Sequence, residues 1–147
     1  MNSEPTFVDT WGWMALGHRG DTRHPEVAGL FHSLRSQRTP LYTTDYVLDE
    51  LITLLYRRET FAEATRFVQT VLSAEGTGRF AIVPVTEERF AVAWQLRQRF
   101  DDKPSISFTD LTSIAVMQEF RIAQVLSDDD HFRQVGLGFH LAPGSER

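Results

Sequence analysis

Apolar residues along this chain fall into short β-rich runs separated by stretches with helical spacing. Thr6-Phe7-Val8 is the first run; it stops at Asp9, and Trp11 to Leu16 follows with helical potential. A polar loop, Gly17 to Arg23, leads to Pro25, which opens a helix whose Val27, Leu30, Phe31 and Leu34 recur at helical intervals. Leu41-Tyr42-Thr43 makes a second short strand. From Asp45 onward, Val47, Leu48, Leu51, Ile52, Leu54 and Leu55 define a buried helix, with Thr44 or Asp45 as its N-cap and Glu50 inside it. Thr60, with Glu63 three residues on, has the capping-box pattern, and Phe67, Val68, Val71 and Leu72 carry that helix to a stop at Gly76.

Phe80 to Val83 is a third strand, closed by Pro84. Thr86 caps an amphipathic helix bearing Phe90, Ala91, Trp94 and Leu96, which ends before the turn-forming Asp101-Asp102-Lys103-Pro104. Ser107 starts a helix through Ile114, Ala115 and Met117. A fourth strand, Ala123 to Leu126, ends in Ser127-Asp128-Asp129-Asp130, and Phe139 to Leu141 is the last. Strands alternating with helices predict an α/β fold, a largely parallel sheet covered on both faces, with ligands at the carboxyl ends of the strands. No fixed-period repeat interrupts that pattern.

The 147 residues fit one domain, 1–147, with eleven Phe, three Trp and three Tyr to fill a single core. No apolar run is long enough to span a membrane, and Met1-Asn2-Ser3-Glu4-Pro5 lacks a signal-peptide pattern, so the cytoplasm is the expected location. With no cysteine, disulfides, thiolate nucleophiles and cysteine zinc sites are excluded together. The net charge of −5 argues against a nucleic-acid partner until the acids are assigned to divalent ions, whose charge belongs in the local field. All basic residues except Lys103 are Arg, a composition suited to bidentate phosphate contacts.

Four acids stand out. Asp9 and Asp129 each follow a β-run, and a parallel sheet brings both to one edge. Asp110 lies in the first turn of its helix, and Glu50 sits among Leu48, Leu51 and Ile52, where an unpaired carboxylate is costly. Each has a structural alternative: Asp9 as a helix cap, Asp110 as part of a capping box with Ser107, Glu50 as a partner of Arg57 or Arg58, and Asp128 to Asp130 as a solvated turn. Together, oxygen-only ligands select Mg²⁺ or Mn²⁺, and no histidine pair has the spacing of a zinc site.

The segments Phe7-Val8-Asp9-Thr10-Trp11-Gly12-Trp13, Thr43-Thr44-Asp45-Tyr46-Val47-Leu48-Asp49-Glu50-Leu51, Ser107-Phe108-Thr109-Asp110 and Leu126-Ser127-Asp128-Asp129-Asp130-His131-Phe132 resemble the four signature blocks of PIN-domain nucleases, in order. The resemblance is closest to the single-domain VapC-type toxins of toxin–antitoxin pairs. It implies a three-layer α/β/α domain and a metal-dependent endoribonuclease that leaves a 5′-phosphate and a 3′-hydroxyl. It makes Asp9, Glu50, Asp110 and Asp129 the catalytic and metal-binding acids, sharing one or two Mg²⁺ or Mn²⁺ ions. Thr10, Ser107 and His131 take supporting places, and Phe132 belongs to the core. Trp11 stands where the family usually has a small polar residue; with Arg19 and Arg23 it is a candidate RNA contact.

The implied partners are an RNA substrate, a second copy of the chain, and an antitoxin with a helical segment and an Arg or Lys that enters the acidic site. A housekeeping RNA-processing nuclease and a non-catalytic RNA-binding module are the alternatives within that fold. An aspartyl-phosphate phosphatase is the alternative outside it, but that pattern wants a second Asp where Trp11 stands.

Overall fold

The computed structural model describes residues 4–128, Phe132 and 140–142. Eleven elements follow one another among these residues: β1 (Thr6–Val8), α1 (Thr10–Gly17), α2 (His24–Ser36), β2 (Leu41–Thr44), α3 (Asp45–Arg58), α4 (Phe61–Ala74), β3 (Phe80–Val83), α5 (Glu87–Arg99), α6 (Phe108–Phe120), β4 (Gln124–Leu126) and β5 (His140–Ala142). The strands form one sheet in the order β3-β2-β1-β4-β5, and every pairing is parallel. Phe7 of β1 lies between Tyr42 of β2 and Val125 of β4, so the first strand is the middle one. The chain winds outward from β1 in one direction and later in the other, which makes the β1/β4 boundary the topological switch point.

The helices begin where small polar side chains can cap them. Thr44, Thr60, Thr86 and Ser107 each accept a hydrogen bond from the backbone N–H three residues on, at 3.0 to 3.2 Å. Thr44 is therefore the cap of α3, and the Asp45 carboxylate instead accepts from Val85 N at 2.9 Å, tying α3 to the chain leaving β3. At Thr60 only the forward half of the capping box forms, because the Glu63 carboxylate is held by Arg66.

The core runs through the central strands, where Phe7, Val8, Val125 and Leu126 are fully buried. In α6, all residues from Leu111 to Met117 are buried, including Thr112 and Ser113. A helix enclosed on every side in this way explains why its apolar pattern lacks a clear face. On α5 the expected apolar face is only partly right. Phe90, Ala91 and Trp94 are exposed, while Ala93, Leu96 and Phe100 face the core. Arg89 joins α5 to α6 through a bidentate pair with Glu119 at 2.8 and 2.9 Å, and the Phe90 ring packs 5.0 Å from that of Phe108. No described helix is long and apolar enough to cross a membrane.

Gly12 marks the closest approach of α1 to the sheet. A Cβ there would stand 2.8 Å from the Leu126 carbonyl oxygen and 3.1 Å from both Leu126 Cγ and Val8 Cγ1. Gly12→Ala would gain about 1 kcal/mol of helix propensity but must push α1 away from packed backbone, an overpacking cost of about 1–3 kcal/mol. The expected outcome is a net loss of stability, read as a lower urea midpoint with an unchanged m-value.

Candidate active site

Asp9 ends β1 and caps α1, and it is 4% exposed. Its Oδ1 accepts from Gly12 N at 3.0 Å, and its Oδ2 accepts from the Ser127 hydroxyl at 2.6 Å. The capping role is thus real, but it engages one oxygen in one direction. Held by these two donors, the carboxylate keeps a fixed orientation at the end of β1. Ser127 follows β4 as Asp9 follows β1, and Asp9 N also donates to Leu126 O at 3.4 Å. The switch point of the sheet therefore carries a buried acid fixed from both strands.

Two further networks hold this corner. The Thr43 hydroxyl donates to Val8 O at 2.9 Å and accepts from the Trp13 indole N–H at 3.1 Å, which locks α1 and β2 to the end of β1. Trp13 itself packs between Phe31 and Phe80, with ring centroids 5.5 and 5.7 Å away. Arg97 donates to three carbonyls, those of Ile106, Phe100 and Lys103, at 2.7 to 2.8 Å. It closes the turn before α6 and so fixes where Ser107 and Asp110 begin that helix.

Asp9, Glu50 and Asp110 line one cavity of about 380 Å³ at the carboxyl ends of the strands. Thr10 and Ser107 contribute hydroxyls to its wall, and Asp21, from the loop after α1, is a further carboxylate there that no local sequence pattern singled out. Arg58 is the one cation among the described lining residues, while Trp11, Met14 and Leu54 form its apolar side. No ion pair among the described residues joins Glu50 to Arg57 or Arg58, although Arg58 shares its cavity. A larger hollow of about 600 Å³ along α5 and α6 contains the already paired Arg89 and Glu119 and no comparable set of acids.

Among the described residues no three acidic or histidine side chains converge closely enough to chelate an ion as they stand. The donor chemistry of the cavity, carboxylates with hydroxyls beside them, nevertheless fits hard divalent ions and no soft metal. Asp129, Asp130 and His131 lie outside the described residues; Phe132 is fully buried, as expected of a core position.

Arg23 does not line the cavity. Its guanidinium stands over the Trp11 ring, 5.3 Å from the centroid, and pairs with Glu26 at 2.8 Å and Asp128 at 3.2 Å. The hydrogen bond to Glu26, with added attraction from Asp128 and Asp21, raises its pKa further, so the cation is permanent. Arg19 is exposed and is not part of the cavity wall.

The family model of the PIN domain matches residues 6–137. The chain belongs to the PIN-domain family. Among its PIN-domain relatives is the 23S rRNA-specific endonuclease VapC20, from two strains of Mycobacterium tuberculosis. It is 35% identical over 134 residues, which are 88% of this chain and 93% of the relative. The crystal structure of M. tuberculosis VapC20, described as a Sarcin-Ricin loop cleaving toxin, superposes with a TM-score of 0.76 at 31% identity. It covers 89% of this chain and 95% of that one. VapBC2 from Rickettsia felis, bound to a DNA fragment from its promoter, matches with a TM-score of 0.69 at 12% identity, over 92% of this chain and 96% of that one. That likeness bears on the fold alone, and the PIN-type α/β/α layering agrees with the all-parallel sheet found here.

The bond between Ser127 and Asp9 gives a test of how this PIN-domain corner is held. Ser127→Ala removes a charge-assisted donor from a buried carboxylate, a loss of about 1.5–3 kcal/mol. Ser127→Thr keeps the hydroxyl and should recover much of it. Urea unfolding in EDTA measures both, and equal stability of Ser127→Ala and the wild type would mean that the bond contributes nothing to orienting Asp9.

Proposed function

We propose that this protein is a divalent-metal-dependent endoribonuclease of the VapC toxin type. The observation that carries this reading is the convergence of Asp9, Glu50 and Asp110 on one cavity at the switch point of a PIN-domain sheet. Asp129, expected as the fourth acid, completes the proposed set. The 35% identity to a 23S rRNA-specific endonuclease over most of both chains supports ribosomal RNA as the first substrate to test, and a toxin rather than a housekeeping enzyme.

Asp9 is the fixed ligand, because its orientation is set before any ion arrives. Glu50 and Asp110 approach from α3 and α6 and supply the charge that one buried acid cannot. One or two Mg²⁺ or Mn²⁺ ions, when bound, supply Lewis acidity and an activated water for attack on the phosphodiester. Arg58 places a cation on the same wall, positioned to meet a phosphate oxygen, and Ser107 and Thr10 offer hydroxyls to the ordered water or the sugar. No protein nucleophile is required. A single domain working as a homodimer in the cytoplasm completes the proposal, in keeping with the family resemblance.

A toxin of this type needs a neutralising partner. A second groove, of about 560 Å³, is floored by Leu16, Phe31, Phe67 and Phe80 and edged by Arg35, Arg38 and Arg79. It fits an antitoxin helix with an apolar stripe and acidic flanks. Arg35→Glu combined with Arg79→Glu should weaken binding of the antitoxin encoded beside this gene at least about tenfold, as measured by calorimetry. Unchanged affinity would place the partner elsewhere.

The decisive experiment on catalysis uses ribosomal RNA with Mg²⁺ or Mn²⁺. Asp9→Asn, Glu50→Gln, Asp110→Asn and Asp129→Asn should each lower cleavage at least about a hundredfold. Asp128→Asn and Asp130→Asn should do much less. EDTA should abolish activity, and Zn²⁺ should not restore it. Cleavage that persists in excess chelator would sink the mechanism.

A further inference from the structure

The acidic cavity has an apolar side that metal binding does not use. Trp11, Met14 and Leu54 line it opposite no charge of their own, within the same 380 Å³ that holds Asp9, Glu50 and Asp110. That volume lies in the range of roughly 300–1,000 Å³ occupied by small-ligand clefts, with room for one nucleotide. A phosphodiester brought to the acids carries a sugar and a base on each side, and among the described lining residues this shelf is the apolar surface open to a base.

Trp11 is held as a stacking surface would be. Trp13, two residues on, is buried between two Phe rings, whereas Trp11 is only partly buried and lines the cavity. Arg23 stands over the Trp11 ring within cation–π distance, and Glu26 from α2 and Asp128 from the chain after β4 hold the guanidinium from two sides. An indole that served only to fill space would not need a cation anchored by two separate elements. Fixing the ring beforehand lowers the entropy cost of placing a base against it.

We propose that Trp11, Met14 and Leu54 form a base-stacking shelf, on which an unpaired nucleobase next to the scissile phosphate is held, with Arg23 as the positioning residue for Trp11. This rests on the nuclease reading and deepens it: the substrate must present a nucleotide that has left its helical stack. Single-stranded or looped RNA is then taken, and a continuous duplex is refused, because a paired base cannot reach the shelf without unstacking.

The test is binding, measured with Ca²⁺ by the anisotropy of a 5′-labelled mixed-sequence RNA dodecamer. Three probes are compared: the single strand, its duplex, and a dodecamer with the same backbone and every base removed. The wild type should bind the single strand more tightly than the duplex or the abasic strand. Trp11→Ala should weaken single-strand binding about tenfold, the scale of one base–aromatic stack, and leave the other two probes within about twofold. Trp11→Phe, which keeps a ring, should retain most of the affinity and guards against a folding defect in the alanine variant. Arg23→Gln should lie between the two. If the wild type binds the abasic strand as well as the normal one, or if Trp11→Ala weakens all three probes alike, the shelf is not a base site. A wild type that shows the single-strand preference but cleaves no RNA with Mn²⁺ would count against the nuclease reading and leave the shelf standing.

Discussion

A carboxylate in the core of a protein has to be held by donors, and the buried Asp9 is held both by Gly12 in the next helix and by Ser127, 118 residues further along the chain. Its bond from Gly12 N fixes the start of α1, and its bond from Ser127 fixes the end of β4 against β1. The close contact of Gly12 with Leu126 O allows no side chain between them. Asp9, the helix start and the β1/β4 junction therefore form one rigid unit, and the other acids are placed relative to it.

That arrangement separates the tasks of the site. Asp9 is pre-oriented at a switch point, where parallel strands in this order leave a crevice. Glu50 and Asp110 arrive on helices, α3 and α6, whose positions are set by ordinary core packing and by caps at Thr44 and Ser107. Arg97, closing the turn before α6 through three carbonyls, transmits the rigidity of α5 to the beginning of that helix. With both caps in place, Glu50 and Asp110 are set on the same cavity wall as Asp9.

The overall negative charge is also easier to understand at this level. Several arginines are engaged in fixing the protein: Arg89 with Glu119, Arg97 with its carbonyls, Arg23 with Trp11, Glu26 and Asp128. Their abundance reflects the value of a planar, multi-donor cation for bracing loops as much as any contact with phosphate. Arg58 is the exception at the site, a cation that shares a cavity with carboxylates yet forms no ion pair among the described residues.

The alternation of strand and helix, the caps at Thr60, Thr86 and Ser107, and the placing of Asp9 at a strand end were legible in the sequence because they depend on residues a few positions apart. The acidic blocks were legible for a different reason: their residue types and spacing resemble those of a family. Local pattern could not show that Ser127 binds Asp9, that Thr43 joins Trp13 to Val8, or that Asp21 and Arg58 enter the cavity. Each of these rests on strand order and helix packing, which bring together segments distant in sequence. The same holds for α5, where Phe90 and Trp94 suggested an apolar face, yet both are exposed while Ala93 and Leu96 are buried. Trp11 shows the division most clearly. The sequence placed it two residues after Asp9, and only the packing of the α1–α2 loop against the end of β4 brought Arg23 over its ring, while Trp11 itself lines the cavity.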